Sequence, residues 1–484
     1  MADGAYETVI GLEVHAQLAT RSKMFCGCPV TFGAPPNSQT CPICLGMPGV
    51  LPVINRTAVE YAVRTALAFG LRVNAACRFA RKHYYYPDMP KNFQISQYEE
   101  PLAEDGALEI DGPDGPRRIG IQRLHLEEDV GKLVHEGEFA TAQASLVDYN
   151  RSGTPLMETV SRPDIRSPEE AAAYLRAFRA VLLALGVCDG NMEEGSLRCD
   201  ANISLRPRGA TELGTKVEIK NLNSFRNVQR ALEFEAKRQA AALDKGERIV
   251  QETRLFDAER GVTGATRSKE YAHDYRYFPE PDLVPLKVDG GWVERARGAL
   301  PELPRARRQR FVAQYGLPAY DAGLLTQSQA LADYYESAVR AHANPKGIAN
   351  WITSELLREV DADDESAVRG ARIRPEQLAG LVKLIDDGTI SGKIAKDVFT
   401  RMLASGEDAA AIVKREGLTQ VADAGALEAL VDQAIAGNAK AVADFKAGKT
   451  AASKALVGQV MKASGGKANP AMVDRMVQEK LSKM

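Results

Sequence analysis

No apolar run in this chain is long enough to span a bilayer, and no signal-peptide pattern marks its start, where Asp3 and Glu7 stand in place of a basic flank. Neither a membrane span nor export is expected, and the reading is a cytoplasmic protein. No charge of one sign dominates: 62 Lys and Arg against 64 Asp and Glu leave a net charge of −2. Any nucleic-acid surface must therefore be local. A phosphate-binding loop is missing, because Gly448-Lys449-Thr450 ends like one but Ala443 occupies the place of its leading glycine. No glycine-rich dinucleotide fingerprint follows a strand, and no Gly-Ser-rich nucleophile segment of the amidase type occurs. Seven cysteines, an odd number without an export signal, argue against a disulfide framework.

What is present is a soluble globular composition, 45% hydrophobic and 26% charged, over 484 residues, enough for two to four domains. The chain is organised around V-I-G-L-E-V-H-A-Q-L, residues 9–18. Read with period two, Ile10, Leu12, Val14, Ala16 and Leu18 share one face of a strand, and Gly11, Glu13, His15 and Gln17 share the other. A carboxylate and an imidazole pointing the same way suit a hard divalent cation or an acid–base pair, beside a glycine that permits close approach. A solvated polar face of an antiparallel strand explains the same pattern.

Cys26-Gly27-Cys28, twelve residues and then Cys41-Pro42-Ile43-Cys44 give two close thiol pairs joined by a Gly/Pro/Asn-rich loop. That is the arrangement a tetrahedral thiolate site needs, and four ligands make such a site closed and structural, with zinc the expected metal. Cys77, Cys188 and Cys199 lack the spacing and read as core. A helix capped by Asn55 runs to Ala68, and residues 81–97, with Pro87 and Pro90, form a turn between extended pieces. Lys82, His83 and Lys91 mix there with Tyr84, Tyr85, Tyr86 and Phe93, which fits a nucleotide or RNA surface and equally fits strand packing with snorkelling lysines.

Residues 103–119 read as a surface hairpin. In R-L-H-L-E-E-D-V-G-K, Glu128 shares a face with Leu124, Leu126 and Val130; in T-P-L-M-E-T-V, Glu158 shares one with Leu156 and Val160. A carboxylate on an inward face must be paired, protonated or bound to a metal, unless a β-bulge turns it outward. Ser167-Pro168-Glu169-Glu170 opens a helix that Gly186 ends, and Ser224 caps another to about Leu243. Between them, Arg198, Asp200 and Asn202 line the polar face of one extended piece, and Glu218 and Lys220 that of the next. Residues 274–283 add an aromatic-rich strand with Arg276. Prolines 279, 281, 285, 301 and 304 mark a boundary near 295, after which the pattern is helical, with an acidic loop at Asp361–Glu365 and a change of texture near 406. From Asn438 onward nine Lys and Arg face three acids, either a solvated helix face or an RNA contact.

Several of these stretches, taken in order, carry a family resemblance: E-T-V-I-G-L-E-V-H-A-Q-L, F-C-G-C with C-P-I-C-L-G-M-P-G, Y-Y-Y-P-D-M-P-K-N-F-Q-I-S-Q, R-L-H-L-E-E-D-V-G-K, E-G-S-L-R-C-D-A-N-I-S, E-I-K-N-L-N-S-F, D-Y-R-Y-F-P-E-P-D and, in the tail, L-V-G-Q-V-M-K with G-G-K-A-N-P. Over essentially its whole length the chain resembles the B subunits of heterotrimeric aspartyl/glutamyl-tRNA amidotransferases. The resemblance implies an α+β fold: a β-rich N-terminal cradle (1–295), an all-α helical domain (296–405) and a small all-α tail that binds tRNA (406–484). It implies a ligase that uses ATP to phosphorylate the side-chain carboxylate of mischarged Asp-tRNA or Glu-tRNA and lets ammonia displace the phosphate. The ammonia comes from a glutaminase (amidase), the A subunit, joined through a small bridging protein, the C subunit. That division fits the missing amidase segment.

By the same resemblance Glu13, His15, Glu128 and Glu158 match cation-binding and catalytic positions for Mg²⁺, with Asp200 a fifth candidate. His15 is alternatively a support for a ligand or the base that takes a proton from ammonia. Lys82, Lys91, Lys220 and Arg276 are candidate phosphate partners on charge and placement, and Cys26, Cys28, Cys41 and Cys44 match the zinc pattern. Thr266, where the family commonly has Met, is a local departure. Two other readings stay open: a non-catalytic tRNA-binding scaffold with a structural zinc, and a stand-alone ligase using free ammonia.

Overall fold

The alternation of residues 9–18 is realised as a twelve-residue strand, β1 (Tyr6–Gln17), in the computed structural model, which describes residues 5–113, 115–135, 145–265, 275–362, 364–419, 424–446, 450–464 and 468–484. Asp3, Thr266, Asp274, Gly448, Lys449 and Lys467, which fall in stretches named above, lie outside the described residues. Further strands follow as β2 (Arg72–Val73), β3 (Ala80–His83), β4 (Phe93–Ser96), β5 (Ala103–Gly112), β6 (Gly115–Glu128), β7 (Pro155–Ser161), β8 (Leu197–Pro207), β9 (Val217–Leu222), β10 (Thr253–Asp257), β11 (Val262–Ala265) and β12 (Phe278–Pro279). Nine of them form one sheet in the order β11-β10-β9-β8-β1-β7-β6-β5-β2, antiparallel except for the β9–β10 pair. A smaller sheet has the order β12-β3-β4.

One face of the large sheet is covered by α1 (Arg56–Ala68), α2 (Pro168–Leu185) and α3 (Phe225–Asp244). The caps are those the sequence predicts: Asn55 accepts from Thr57 and Ala58, Ser167 from Glu170 and Ser224 from Asn227, and Gly186 ends α2 at φ +65°. Ile10, Leu12, Val14 and Ala16 of β1 are fully buried against these helices, as are Leu124 and Leu126 of β6. Such alternation fixes register, because a slip of one residue would turn every apolar side chain to the polar side. The hairpin at 103–119 is more than a surface feature: Leu108, Ile110, Ile119 and Ile121 are buried in the same core. Gly11 has an ordinary neighbour, Pro163, 3.9 Å from where a Cβ would lie, so close approach is not what places a glycine there. Cys77, Cys188 and Cys199 are core residues, and all seven cysteines are free.

Residues Met1–Leu303 form one compact unit and Pro304–Met484 another. The first runs past 295 because the helix Gly290–Gly298 packs on α1, with the Trp292 indole donating to Glu60. The second unit is helical throughout its described residues and holds two apolar clusters, Phe311 to Val413 and Leu427 to Leu481. Ala409, Ile412 and Val413 join the former cluster, so the texture change at 406 does not coincide with the gap between cores. The acidic stretch at 361–365 is not simply a loop. Asp364 caps the helix Glu365–Arg369, and the Glu365 carboxylate accepts the backbone N–H groups of Gln329 and Ala330, capping the helix Gln329–Ala341 from outside. Among the described residues no helix is long and apolar enough to cross a membrane.

One ion-pair network in this second unit gives a pH-dependent expectation. Glu336 accepts from Arg307 at 2.5 Å, from Arg310 at 2.7 Å and from Tyr315 at 3.0 Å. Burial opposes its charge, but those donors outweigh burial and hold the carboxyl at about 2, below its ordinary 4.5. A depressed carboxylate contributes stability that is fully present above the unfolded value and is lost as pH falls from about 4.5 toward 2. Glu336→Gln is therefore expected to lower stability by roughly 2 kcal/mol at pH 7, with the gap to the parent narrowing at pH values below 4.5. Urea midpoints measured at neutral and acid pH check this; a gap that ignores pH would refute it.

Candidate active site

The polar face of the large sheet carries a row of ionisable side chains because the register puts them there. His15 on β1 lies opposite Glu158 on β7 and Arg198 on β8, and Glu158 in turn lies opposite His125 on β6. Glu127 follows two residues along β6, on the same face. His15 Nε2 is 3.3 Å from Glu158 Oε2 and 3.9 Å from Glu127 Oε1. His125 Nε2 approaches the same two carboxylates at 3.3 and 3.8 Å. Ser96, at the end of β4, donates to Glu127 Oε2 at 3.0 Å. Each of His15, Glu127 and Glu158 offers a ligand atom within 4.8 Å of the others, the spacing one cation can bridge.

Electrostatics divide these groups sharply. Burial works against a charge on His15, but Glu158, by charge and hydrogen bond, with Glu127 and Asp200, outweighs it and raises the ring to about 9. The same two carboxylates raise His125 against its burial. Burial also opposes charge on Glu158, yet the His125 and His15 rings hold it well below the usual carboxylate range. Glu127 is held down against its burial chiefly by the hydrogen bond to His125, with Lys82 and His15 adding their charge. Glu13 goes the other way: burial, then Glu158, Glu218 and Asp200, push its carboxyl up. Two buried anions beside a carboxyl shifted the opposite way are what an acid–base or cation site looks like electrostatically.

The row continues to both sides. Asn202 donates to Glu13 Oε1 at 3.0 Å, and Lys220 reaches Asp200 at 2.9 Å and Glu218 at 3.3 Å. Gln17 and Arg198 both donate to the buried Asp129, at 2.7 and 2.8 Å. Lys82 on β3 lies with its ammonium 5.0 Å from the Tyr275 ring centroid and 5.7 Å from that of Tyr84. Glu127 and Glu158 act on its charge and raise its pKa against the effect of burial. Arg276 is exposed between Tyr275 and Tyr277, at φ +47°.

Two sequence-derived residues are elsewhere. Glu128 does share the face of Leu124 and Leu126, and for that reason it points away from His15 and Glu158. It pairs with Lys91 and accepts the Ile95 N–H at 2.9 Å, in a cavity of about 220 Å³ bounded also by Cys26, Cys44 and Arg81. Lys91 is thereby engaged there, 5.6 Å from the Phe93 ring centroid. Glu158 shares its face with Leu156 and Val160 as read, but this is the polar side of the sheet. Glu127 and His125 escape the periodicity reading although a signal exists: H-x-E on β6 mirrors E-x-H on β1, and the Glu127-Glu128 doublet offers one carboxylate to each face.

Beside the Glu128 cavity, Cys26, Cys28, Cys41 and Cys44 place their sulfurs within 4.8 Å of one another and can hold a metal such as zinc. A buried cation faces one of these sulfurs. Lys23, fully buried, brings its ammonium to 3.5 Å from Cys44 Sγ and 3.2 Å from the Tyr149 carbonyl. Hydrogen bonds from Cys26 and Cys41 together with the Lys23 charge hold Cys44 low, at about 4, while the thiols of Cys26 and Cys28 are raised.

Residues 8–294 match the family model described as GatB/GatE catalytic domain, and residues 333–481 match the one described as GatB domain. Among curated relatives, a protein of Carboxydothermus hydrogenoformans is 56% identical over 479 residues, covering 99% of either chain. One of Moorella thermoacetica is 55% identical over 476 residues, 98% of this chain and 100% of the relative. One of Solidesulfovibrio magneticus is 54% identical over 476 residues, 98% and 99% of the two. Each of the three is named as the B subunit of an aspartyl/glutamyl-tRNA(Asn/Gln) amidotransferase.

Proposed function

The chain belongs to the family of aspartyl/glutamyl-tRNA(Asn/Gln) amidotransferase B subunits, and from that membership we propose that it carries the kinase and transamidase steps of a glutamine-hydrolysing ligase. It converts mischarged Asp-tRNA(Asn), Glu-tRNA(Gln) or both into Asn-tRNA(Asn) and Gln-tRNA(Gln). A side-chain carboxylate oxygen of the aminoacyl ester attacks the γ-phosphorus of ATP, the bond to ADP breaks and an acyl phosphate forms. The ammonia lone pair then attacks the acyl carbon, and phosphate leaves. The observation that carries this reading is the convergence of His15, Glu127 and Glu158.

Mg²⁺, when bound, neutralises phosphate oxygens and keeps nucleophile and phosphorus in line. Glu127 and Glu158 would hold it, with His15 joining them once its ring gives up a proton, and the two buried carboxylates, balanced here by imidazoles and Lys82, fit a divalent ion. His125, 3.3 Å from the same Glu158 oxygen, orients that carboxylate. Glu13 and Asp200 stand beside this trio and receive the proton of incoming ammonium or extend the cation site. The phosphate role falls to Lys82, Lys220 and Arg276, since Lys91 sits with Glu128 away from the trio. Cys26, Cys28, Cys41 and Cys44 would hold a structural zinc.

The partners are the amidase (the A subunit), a small bridging protein (the C subunit) and the tRNA, bound through the helical and tail regions. Two features support this: no amidase nucleophile segment occurs in the sequence, and the tail is basic. The seven free cysteines accord with the cytoplasm.

Reconstitution with the partner proteins tests the reading, by following γ-phosphate release and amidated tRNA together. Release that requires both Mg²⁺ and mischarged tRNA is expected. Binding of tRNA without any release would return the scaffold alternative, and release with free ammonia but no tRNA would return the stand-alone ligase.

A further inference from the structure

Glu127 and Glu128 are neighbours on β6 that point to opposite faces of the sheet, and one short segment grips both. The Gln94 amide donates to the Glu128 carbonyl at 2.7 Å, the Ile95 N–H to Glu128 Oε1 at 2.9 Å and the Ser96 hydroxyl to Glu127 Oε2 at 3.0 Å. Gln97 accepts the Leu126 N–H at 3.0 Å. All four gripping residues are buried. A displacement of Glu128 is therefore passed to Glu127, both through this segment and through the planar peptide that joins them.

The grip is anchored at the four-thiol cluster. Lys91, the ion-pair partner of Glu128, touches the flanks of both cysteine pairs. Its ammonium is 5.9 Å from the ring centroid of Phe25, the buried residue before Cys26. Its stem packs on Gly46, two residues after Cys44: a Cβ there would collide with the Lys91 side chain and lie 3.3 Å from its Cα. Gly46 is not free to move apart from the thiols. The N–H groups of Leu45, Gly46 and Met47 donate to the carbonyls of Cys41, Ile43 and Pro42 at 3.1, 3.0 and 2.9 Å, and the Cys41 N–H lies 3.2 Å from Cys44 Sγ. The turn that carries Cys41 and Cys44 is thus the turn that presses on Lys91.

We propose that Lys91 is a positioning residue that links the thiol cluster to the cation site. A metal closed in by the four cysteines keeps Gly46 and Phe25 against Lys91, and Lys91 keeps Glu128, hence Glu127, in place. Emptying the cluster loosens Glu127 and weakens cation binding at the trio on the other face of the sheet. The inference rests on the reading above that the trio holds a divalent cation.

Mn²⁺ is the probe, its free concentration read by electron spin resonance with the full chain assembled with its partner proteins and no nucleotide present. The Mn²⁺ site lost in Glu158→Gln identifies the trio. Lys91→Met is expected to weaken that site by about tenfold while zinc is retained, the lower end of what losing a support behind a metal ligand costs. In turnover the KM for Mg²⁺ should rise with it, and kcat at saturating Mg²⁺ should change far less. The parent stripped of zinc and freed of chelator should show the same weakening and faster deuterium exchange at the Ile95 amide, and reloading zinc should reverse both. Stripping Lys91→Met should add little, because both changes break one path. Parental Mn²⁺ affinity in Lys91→Met or in the stripped parent, or losses that add in the doubly changed protein, would overturn the link and leave the function standing. A parent with no Mn²⁺ site sensitive to Glu158→Gln would bring down the cation site, and the link with it.

Discussion

Glutamine in place of Glu158 is expected to cut tRNA-dependent phosphate release by roughly a thousandfold, because a cation on the phosphate supplies several kcal/mol of transition-state stabilisation and each ~1.4 kcal/mol is a factor of ten. Glu158 Oε2 is the atom both imidazoles approach at 3.3 Å, so its charge holds the site together whether or not a cation is bound. Glu127→Gln should behave alike. The informative contrast is Glu128→Gln, one residue away on the opposite face, where the lost partners are Lys91 and the Ile95 N–H. That change should cost stability and leave far more of the phosphate release. Glutamine hydrolysis by the assembled complex and zinc content serve as controls for folding. Were Glu128→Gln the silent-release variant and Glu127→Gln the active one, the trio would be misassigned.

Lys23→Met is expected to have the largest structural effect. Methionine keeps the length and the apolar stem but removes the charge that faces Cys44 Sγ at 3.5 Å in a fully buried position. Removing one member of a buried charge pair typically costs about 3–5 kcal/mol, because the other is left uncompensated. Faster loss of metal to a chelator and a lower urea midpoint should appear together. Retention of both at parental values would show that the four thiols are not an anionic metal cluster.

Periodicity makes β1 and the helix caps readable, since a strand buried on one face and a capped helix are local patterns. The four cysteines are legible for the same reason, their spacing being a sequence property. The acidic site is only half legible. Alternation says which residues share a face but not which face is covered, and that depends on strand neighbours far along the chain. Hence the Glu127-Glu128 doublet points toward Glu128, whose apolar companions suggest an inward site, while the partners of His15 come from the other side. Glu365 is hidden for a different reason: as one of several exposed-looking acids it gives no hint of capping a helix thirty-six positions earlier in the chain. The contact of Gly46 with Lys91 joins segments that share no local pattern at all.

Strand order also sets a timetable. β1 is the first strand of the sheet to leave the ribosome, yet it is flanked on one side by a strand beginning at Pro155 and on the other by one beginning at Leu197. At about 5–20 residues per second, the nascent strand waits on the order of ten seconds with both edges bare. Ile10, Leu12 and Val14 are then an adhesive surface, and an early stop or stall before residue 155 would leave it so permanently. The strand that carries Glu13 and His15 is thus also a segment of the newborn chain in need of protection.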